Sequence, residues 1–560
     1  MKETALQFDH EFDYVVVGTG SAGCVLANRL SESGQDQVLV LEAGRRDNGW
    51  KIHMPAALMY NLMDDKYNWY YHTEPQEYLN NRKLYWPRGK VWGGGSTLNA
   101  MVYIRGHAYD YDRWHEEGAK GWRYQDVLPY FRKAESREKG ADDYRGGQGP
   151  LNVHTGDEPN PLFGAFKEAT KQAGYPQTDD MNGYQQEGFG DMDMTIRKGK
   201  RWSAAQAYLR PVLNRPNLTA ETGAMTTRIL FDGNKATGVE YIQKGKTIRV
   251  AARKEVIVSG GAINSPQLLM LSGIGAAAEL QEHSIPVVVD LPGVGKNLQD
   301  HLEIYVQHES TQPVTLYKYT TQPGKTLAGM KWFINNDWGA CRTAHLEAGG
   351  FIRSEPGVRH PDIQYHFLPS QVIDHGRKDA ECHGYQAHVG PMRPTSRGFL
   401  KLRSANPGDH PIIDPKLLST ERDRWEMRQS VKLTREIFAQ PAFDAYRGKE
   451  LRPGEDATSD EDIDAFIREY ADSAYHPSCT CKMGAADDPM AVVDEQARVY
   501  GTRNLRVVDA SIMPSMVSGN LNAPTIMLAE KCADHIRGLD PLPPSSAPVW
   551  EHPDWKNQQR

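Results

Sequence analysis

The sequence predicts an α/β fold, α+β when the whole chain is taken together, and three observations carry that reading. An apolar, β-branched run near the N-terminus stops at a glycine-rich turn. A helical stretch and a second apolar run follow within about 30 residues, the spacing of a βαβ unit. Further along, strand-like pieces alternate with helical ones from about residue 311 to 470.

In order, Phe12–Val17 (FDYVVV) reads as a buried strand ending at Gly18. Residues 21–33 have a helical pattern. Gln37–Leu41 (QVLVL) reads as a second buried strand, closed by Glu42. Tyr85–Gly106 is glycine-rich and less regular. Lys254–Gly260 (KEVIVSG) is a strand candidate before a second glycine turn and a helix, and Arg503–Asp509 is another. Glu421–Ala439 and Asn522–Arg537 have helical periodicity, the second with Ile526, Leu528 and Ala529 facing inward. Asp540–Arg560 carries prolines that forbid a helix, so it is expected to run extended over a surface or to be loose.

Composition excludes several classes. The chain has 560 residues, 65 Lys and Arg against 72 Asp and Glu, and a formal charge of −7. That balance argues against a nucleic-acid binder, which carries a basic surplus. A hydrophobic share of 39% with 24% charged residues is globular. No apolar run reaches the ~18 residues needed to span a bilayer. The N-terminal MKETALQFDHEFD has no apolar segment of the secretory type. Six cysteines do not make a disulfide framework, and Cys479 and Cys481 have no partner motif that would form a zinc site.

Gly18-Thr19-Gly20-Ser21-Ala22-Gly23 fits GxGxxG, and it follows a strand and opens a helix. Gly18 allows the tight turn, Gly20 lets backbone approach a pyrophosphate, and Gly23 allows close helix–strand packing. From Ser21 onward the helix N-terminus offers free N–H groups to phosphate. Glu42, 19 residues after Gly23, is placed to bind ribose hydroxyls and to repel a 2′-phosphate. This Rossmann-like unit takes FAD or NAD; the fingerprint alone does not choose.

Two long motifs do. Residues 89–99 (GKVWGGGSTLN) and 261–275 (GAINSPQLLMLSGIG) resemble the two signatures of the glucose–methanol–choline oxidoreductases, which are FAD enzymes. GVGKNLQDHL (293–302) and VVDASIMPSMVSGNLNAPTIM (507–527) extend the resemblance to about residues 12–538. The resemblance implies an FAD-binding domain in three pieces, 1–154, 215–310 and 475–540. Interleaved with it would be a substrate domain, 155–214 and 311–474, built on an antiparallel sheet covered by helices. Residues 541–560 form a tail. It further implies that Gly94 and Gly95 let backbone approach the flavin. The backbone of Asn99, Ala100, Met101 and Val102 would lie along N5, and Asp509, Ala510 and Thr525 by the ribityl–pyrophosphate and the ring. Leu98 stands where some members carry a His covalently bound to flavin, so FAD is expected to be held non-covalently.

Alcohol oxidation by a flavin needs a base for the hydroxyl proton and a hydride path from the alcohol carbon to N5. His476, in AYHPSCT, matches the family's catalytic histidine, and Asn520 matches its second catalytic position. Asparagine cannot act as a base but can hold the substrate oxygen beside the flavin. HPSCTCKMG (476–484), NPLFGAF (160–166), GYQQEGFG (183–190) and EAGGFIRS (347–354) are similar to the choline-oxidising branch. A quaternary ammonium has no N–H donors, so a carboxylate field and aromatic faces must hold it. The resemblance assigns Glu347 as that carboxylate, Trp69 and Tyr475 as cage members, either Tyr365 or Phe367 as their complement, and His383 as a contact to the substrate oxygen. Ala100 stands where choline oxidases carry serine, which argues against oxidase behaviour.

The expected reaction is therefore oxidation of choline to betaine aldehyde, and of its hydrate to glycine betaine. The expected electron acceptor is a membrane quinone or another non-oxygen acceptor. Peripheral attachment to the cytoplasmic face of a bacterial inner membrane is expected, without a transmembrane span. Two alternatives stay open: a related dehydrogenase or oxidase for another primary alcohol, and a lyase on the same fold.

Overall fold

A computed structural model describes residues 7–157, 159–373, 378 and 380–560. Among these, two seven-stranded sheets organise the chain. In the first, β1 (His10–Val17) lies between β2 (Val38–Glu42) and the strand Lys246–Val258, paired parallel to both. Leu218–Thr222 extends the parallel part beyond β2, and Leu505–Val507 pairs parallel with Lys246–Val258. An antiparallel meander, Ala224–Asp232 and Lys235–Gln243, completes the sheet. Val15, Val16 and Val38–Leu41 are almost fully buried, as parallel strands covered on both faces must be. Lys246–Val258 is 13 residues long, and only its last part is continuously buried. Its first part is a half-exposed hairpin arm, which is why the apolar reading of the sequence saw only the segment from 254. The helix Asn522–Arg537 has the expected bounds, whereas α1 is shorter than expected, Ser21–Leu30.

The second sheet is antiparallel, in the order Arg447–Arg452, Leu302–Ser310, Gly384–Pro391, Ile363–Leu368, Ala348–Ile352, Gly188–Asp191, with Asp472–Ser473 also paired to Leu302–Ser310. Residues 302–310, which the expected boundary at 310 grouped with the first unit, belong to this sheet. One face packs on the helices Pro161–Gln172 and Glu421–Phe438 through an aromatic core: Phe166 stacks on Phe367 at 4.6 Å, and Tyr385 meets Phe438 at 5.3 Å. The other face looks toward the first sheet across a cavity of about 920 Å³ lined by residues of both.

The tail runs extended and is docked along its length. Leu542 N donates to the Tyr130 hydroxyl at 3.1 Å, and Tyr144 donates to the Pro548 carbonyl at 2.8 Å. The fully buried Arg353 donates to the carbonyls of Trp555 and Gln558. No helix among the described residues is long and apolar enough to cross a membrane.

Candidate active site

At one end of the cavity lies a cradle for a dinucleotide. Gly18 sits at φ +99°, and a Cβ there would meet the Ser259 carbonyl oxygen at 2.4 Å. A Cβ on Gly23 would meet the Gly18 carbonyl oxygen at 2.0 Å, so only glycine lets α1 pack this tightly on the turn. The N-terminus of α1 has no side-chain cap and no acid in its first turn, leaving N–H groups free for phosphate. Thr19 donates to Glu42 through its N–H and its hydroxyl, and Gly44 N donates to the other carboxylate oxygen. Burial pushes the Glu42 carboxyl upward against these donors. From the other side, the turn Gly94–Thr97 presses in: Gly93 N donates to the Thr19 carbonyl at 2.7 Å, and a Cβ on Gly94 would meet Gly20 Cα at 2.7 Å. Asp509 accepts from Gly261 N, the Ser265 hydroxyl and Ser511 N, which ties the end of the strand Leu505–Val507 to the start of the helix Gly261–Leu271. These residues fit a bound dinucleotide.

Gly18, Gly20, Ser21, Glu42, Gly94, Gly95, Asn99, Ala100, Met101, Val102, Asp509, Ala510, Asn520 and Thr525 all line the cavity; Gly23 lies behind it as a packing residue. Leu98, which has no nucleophilic atom, lines it too. Arg201, missed in the sequence, clamps the 96–99 turn: its guanidinium donates to the carbonyls of Ile52, Ser96 and Asn99 and to Asn99 Oδ1.

Beyond the cradle stand His476 and Asn520. His476 Nδ1 is 3.0 Å from His301 Nδ1, and His301 Nε2 is 3.0 Å from the Met392 carbonyl oxygen. A carbonyl only accepts, so His301 carries its proton on Nε2. Burial holds His301 down to about 4, so it is neutral and its Nδ1 is an acceptor. His476 must then donate from Nδ1, which leaves Nε2 as a lone pair. That atom is 3.4 Å from Asn520 Nδ2, while Asn520 Oδ1 accepts from Gln364 Nε2 at 3.0 Å. The chain Gln364–Asn520–His476–His301–Met392 thus fixes one direction of every hydrogen bond. Burial, then the fields of His301, Arg88 and His366, hold His476 well below the ordinary histidine value of 6.5. Its backbone N–H donates to Asp300 at 2.7 Å, a carboxyl that burial pushes up to about 7.

The wall opposite is set by strand alternation. On Ile363–Leu368, Gln364, His366 and Leu368 line the cavity, whereas Tyr365 and Phe367 are fully buried among the aromatic core residues. Either aromatic was expected in the cage; the period of two turns both away from it. On Leu302–Ser310 the same alternation presents Glu303 and Tyr305 to the cavity. The Tyr305 hydroxyl donates to Glu303 at 2.9 Å, His388 stacks on Tyr305 at 3.9 Å, and His388 Nδ1 is 3.6 Å from Glu303. His388 lies directly across from His366 in the strand register, between the Asn520 end of the wall and Glu303. Trp69, stacked on Tyr71 at 6.0 Å, and Tyr475, at φ +64°, line the cavity.

Two expected contacts lie elsewhere. Glu347 is buried outside the described cavity lining; the Thr343 hydroxyl donates to its carboxylate, and its carbonyl accepts from Met192 N at 2.7 Å. His383, the residue before the strand Gly384–Pro391, has its Nδ1 2.8 Å from the Thr315 hydroxyl and is also off the described lining. In the sequence, Glu303 sits just past the GVGKNLQDHL motif. The signal that could have found it is the alternation Leu302, Ile304, Val306 against Glu303, Tyr305, Gln307.

The buried imidazoles make a testable pH dependence. Burial holds His301, His345, His360, His366 and His535 to about 4. A folded-state value below the unfolded one stabilises the fold above pH ~6.5 and loses that contribution as pH falls toward 4. Asp300 and Glu426, pushed up to about 7, act in the opposite sense but are fewer. The melting temperature is therefore expected to fall steeply between pH 6.5 and 4.5; calorimetry showing a flat Tm across that window would contradict these assignments.

Comparison with known proteins bears on this site. The chain matches the GMC oxidoreductase family over residues 12–303 with its N-terminal part and 394–529 with its C-terminal part. It is 63% identical over 548 residues to the mitochondrial choline dehydrogenase of Mus musculus, covering 97% of this chain and 92% of that one. It is 52% identical over 551 residues to an oxygen-dependent choline dehydrogenase of Photobacterium profundum, covering 98% and 97%. Among solved structures, pyridoxine 4-oxidase from Mesorbium loti superposes with a TM-score of 0.86 at 33% identity, over 94% of this chain and 99% of that one. This chain belongs to the GMC oxidoreductase family.

Proposed function

We propose that this chain is an FAD-dependent dehydrogenase that oxidises choline to betaine aldehyde, and the aldehyde hydrate on to glycine betaine. The observation that carries this reading is one cavity in which the dinucleotide cradle, the lone pair of His476 and the Glu303 carboxylate converge. The naming of relatives at 52–63% identity as choline dehydrogenases supports it.

FAD, when bound, supplies the two-electron acceptor for the hydride of the alcohol carbon. His476 Nε2 takes the hydroxyl proton, and the imidazolium so formed shares its Nδ1 proton with His301. Asn520 turns its amide N–H from His476 to the substrate oxygen and holds the developing alkoxide. Glu303 supplies the carboxylate field for the trimethylammonium group, in the role first assigned to Glu347. Trp69, Tyr475 and Tyr305 line the same cavity and supply its aromatic surface. A gem-diol presents the same HO–C–H unit to His476, so the second oxidation uses the same groups. The electrons then pass to a membrane quinone or another non-oxygen acceptor, with the protein attached peripherally to the membrane.

An uncharged alcohol would make no use of Glu303, and a lyase would leave the flavin oxidised. Anaerobic mixing with choline is expected to bleach the flavin absorbance fully, and plain primary alcohols of the same length are expected to do so far more slowly. An unbleached spectrum with choline would point to the lyase. Acid precipitation of the same preparation is expected to free the flavin into the supernatant, because Leu98 has no atom to bond it; yellow retained in the pellet would place a covalent link elsewhere.

A further inference from the structure

At the outer end of the cavity the surface is apolar, and none of the described residues covers it. On the helix Gly324–Ile334, Ala328 and Trp332 face inward and are buried. On the same helix Leu327, Met330, Phe333 and Ile334 are 54–73% exposed. A helix facing water carries polar residues on its outer side; this one has a second apolar face. Trp50 continues the face: its ring meets Phe333 edge-on at 5.4 Å, and both line the mouth of the cavity. Trp338, just beyond the helix, is 56% exposed. A contiguous patch of this kind marks an interaction site.

Basic residues frame it. Over segments 50–66, 197–200 and 316–338, Lys and Arg outnumber Asp and Glu eight to three, although the whole chain has 65 against 72. Lys51 and Lys325 flank the Tyr60 ring at 5.2 and 5.4 Å. Lys198 and Lys200 stand on a hairpin whose Gly199 carbonyl accepts from Trp332 Nε1 at 2.8 Å. Exposed leucine, isoleucine and tryptophan ringed by lysine is the chemistry of an element that lies in a bilayer interface over anionic headgroups. Two copies of so basic a face would repel one another, so charge favours a lipid surface over self-association.

We infer that the helix Gly324–Ile334, with the Trp50–Met63 segment beside it, is the surface by which this protein docks on an anionic membrane. The inference rests on the peripheral attachment proposed above and adds where it occurs. The mouth of the cavity then faces the bilayer, the phase in which a quinone dissolves.

The test is co-sedimentation of the FAD-loaded protein with vesicles of phosphatidylcholine and phosphatidylglycerol, about 7:3, and with pure phosphatidylcholine. Wild-type protein is expected to sediment with the anionic vesicles and to be released by ~1 M salt. The double variant Leu327→Glu, Ile334→Glu is expected to lose binding about tenfold or more. Neither residue lines the cavity, so its choline oxidation with a soluble dye is expected to be unchanged, which shows that it is folded. A variant that binds as wild type does would overturn this surface and leave peripheral attachment standing. Wild-type protein that ignores both vesicles would overturn both. A wild-type dimer that the double variant dissociates, seen by sedimentation velocity, would reassign the face to a second copy of the chain.

Discussion

Replacing His476 by alanine is expected to lower kcat for choline by about 10²–10⁴, the usual worth of a positioned general base. The expectation follows from the hydrogen-bond chain rather than from the presence of a histidine. Met392 fixes the tautomer of His301, His301 fixes that of His476, and the remaining lone pair points at Asn520. Removing the imidazole leaves the cradle and the ammonium end intact, so flavin content and choline affinity change little while the rate of anaerobic flavin reduction collapses. His476→Gln keeps a hydrogen-bonding side chain but has no basic nitrogen, and it is expected to fall as far. The competing candidates are His366 and His388, which line the same cavity. If His476→Ala reduces its flavin at near the wild-type rate, the base is one of those two.

Glu303→Gln is expected to raise KM for choline by about 10²-fold, within the ~2–5 kcal/mol measured when one partner of a close charge pair is removed. Its side chain is only 16% exposed, so water screens the field weakly. The maximal rate of flavin reduction at saturating choline should move much less, because the carboxylate meets the cation equally in ground and transition states. Glu347→Gln is the control. Glu347 is held by Thr343 behind the cavity wall and is expected to leave KM within a factor of a few. Steady-state and stopped-flow kinetics on the two variants decide between the carboxylates. A large KM effect from Glu347→Gln with none from Glu303→Gln would restore the assignment that resemblance suggested.

The contrast between those two glutamates shows where sequence reasoning stops. Glycine positions were legible because they answer to local sterics. Gly18 and Gly23 leave no room for a Cβ, and that demand is written into a six-residue motif. The strands β1 and β2 and the helix Asn522–Arg537 were legible for a similar reason: their hydrophobic patterns are local and of short period. Motif resemblance carried FAD and placed His476 and Asn520, because each lies within a long, position-specific stretch.

The sequence alone thus determined the fold class and the dinucleotide cradle, and it proposed His476 and Asn520 as the catalytic pair. Only the tertiary structure decided what faces the cavity. His301 meets His476 across 175 positions, and Gln364 meets Asn520 across 156. Whether Tyr365 or His366, Glu303 or Ile304, looks into the cavity depends on which face of the antiparallel sheet the helices cover. That choice is made by the packing of Phe166, Phe438 and their neighbours on the far face, and a one-residue change in strand phase would have reversed it.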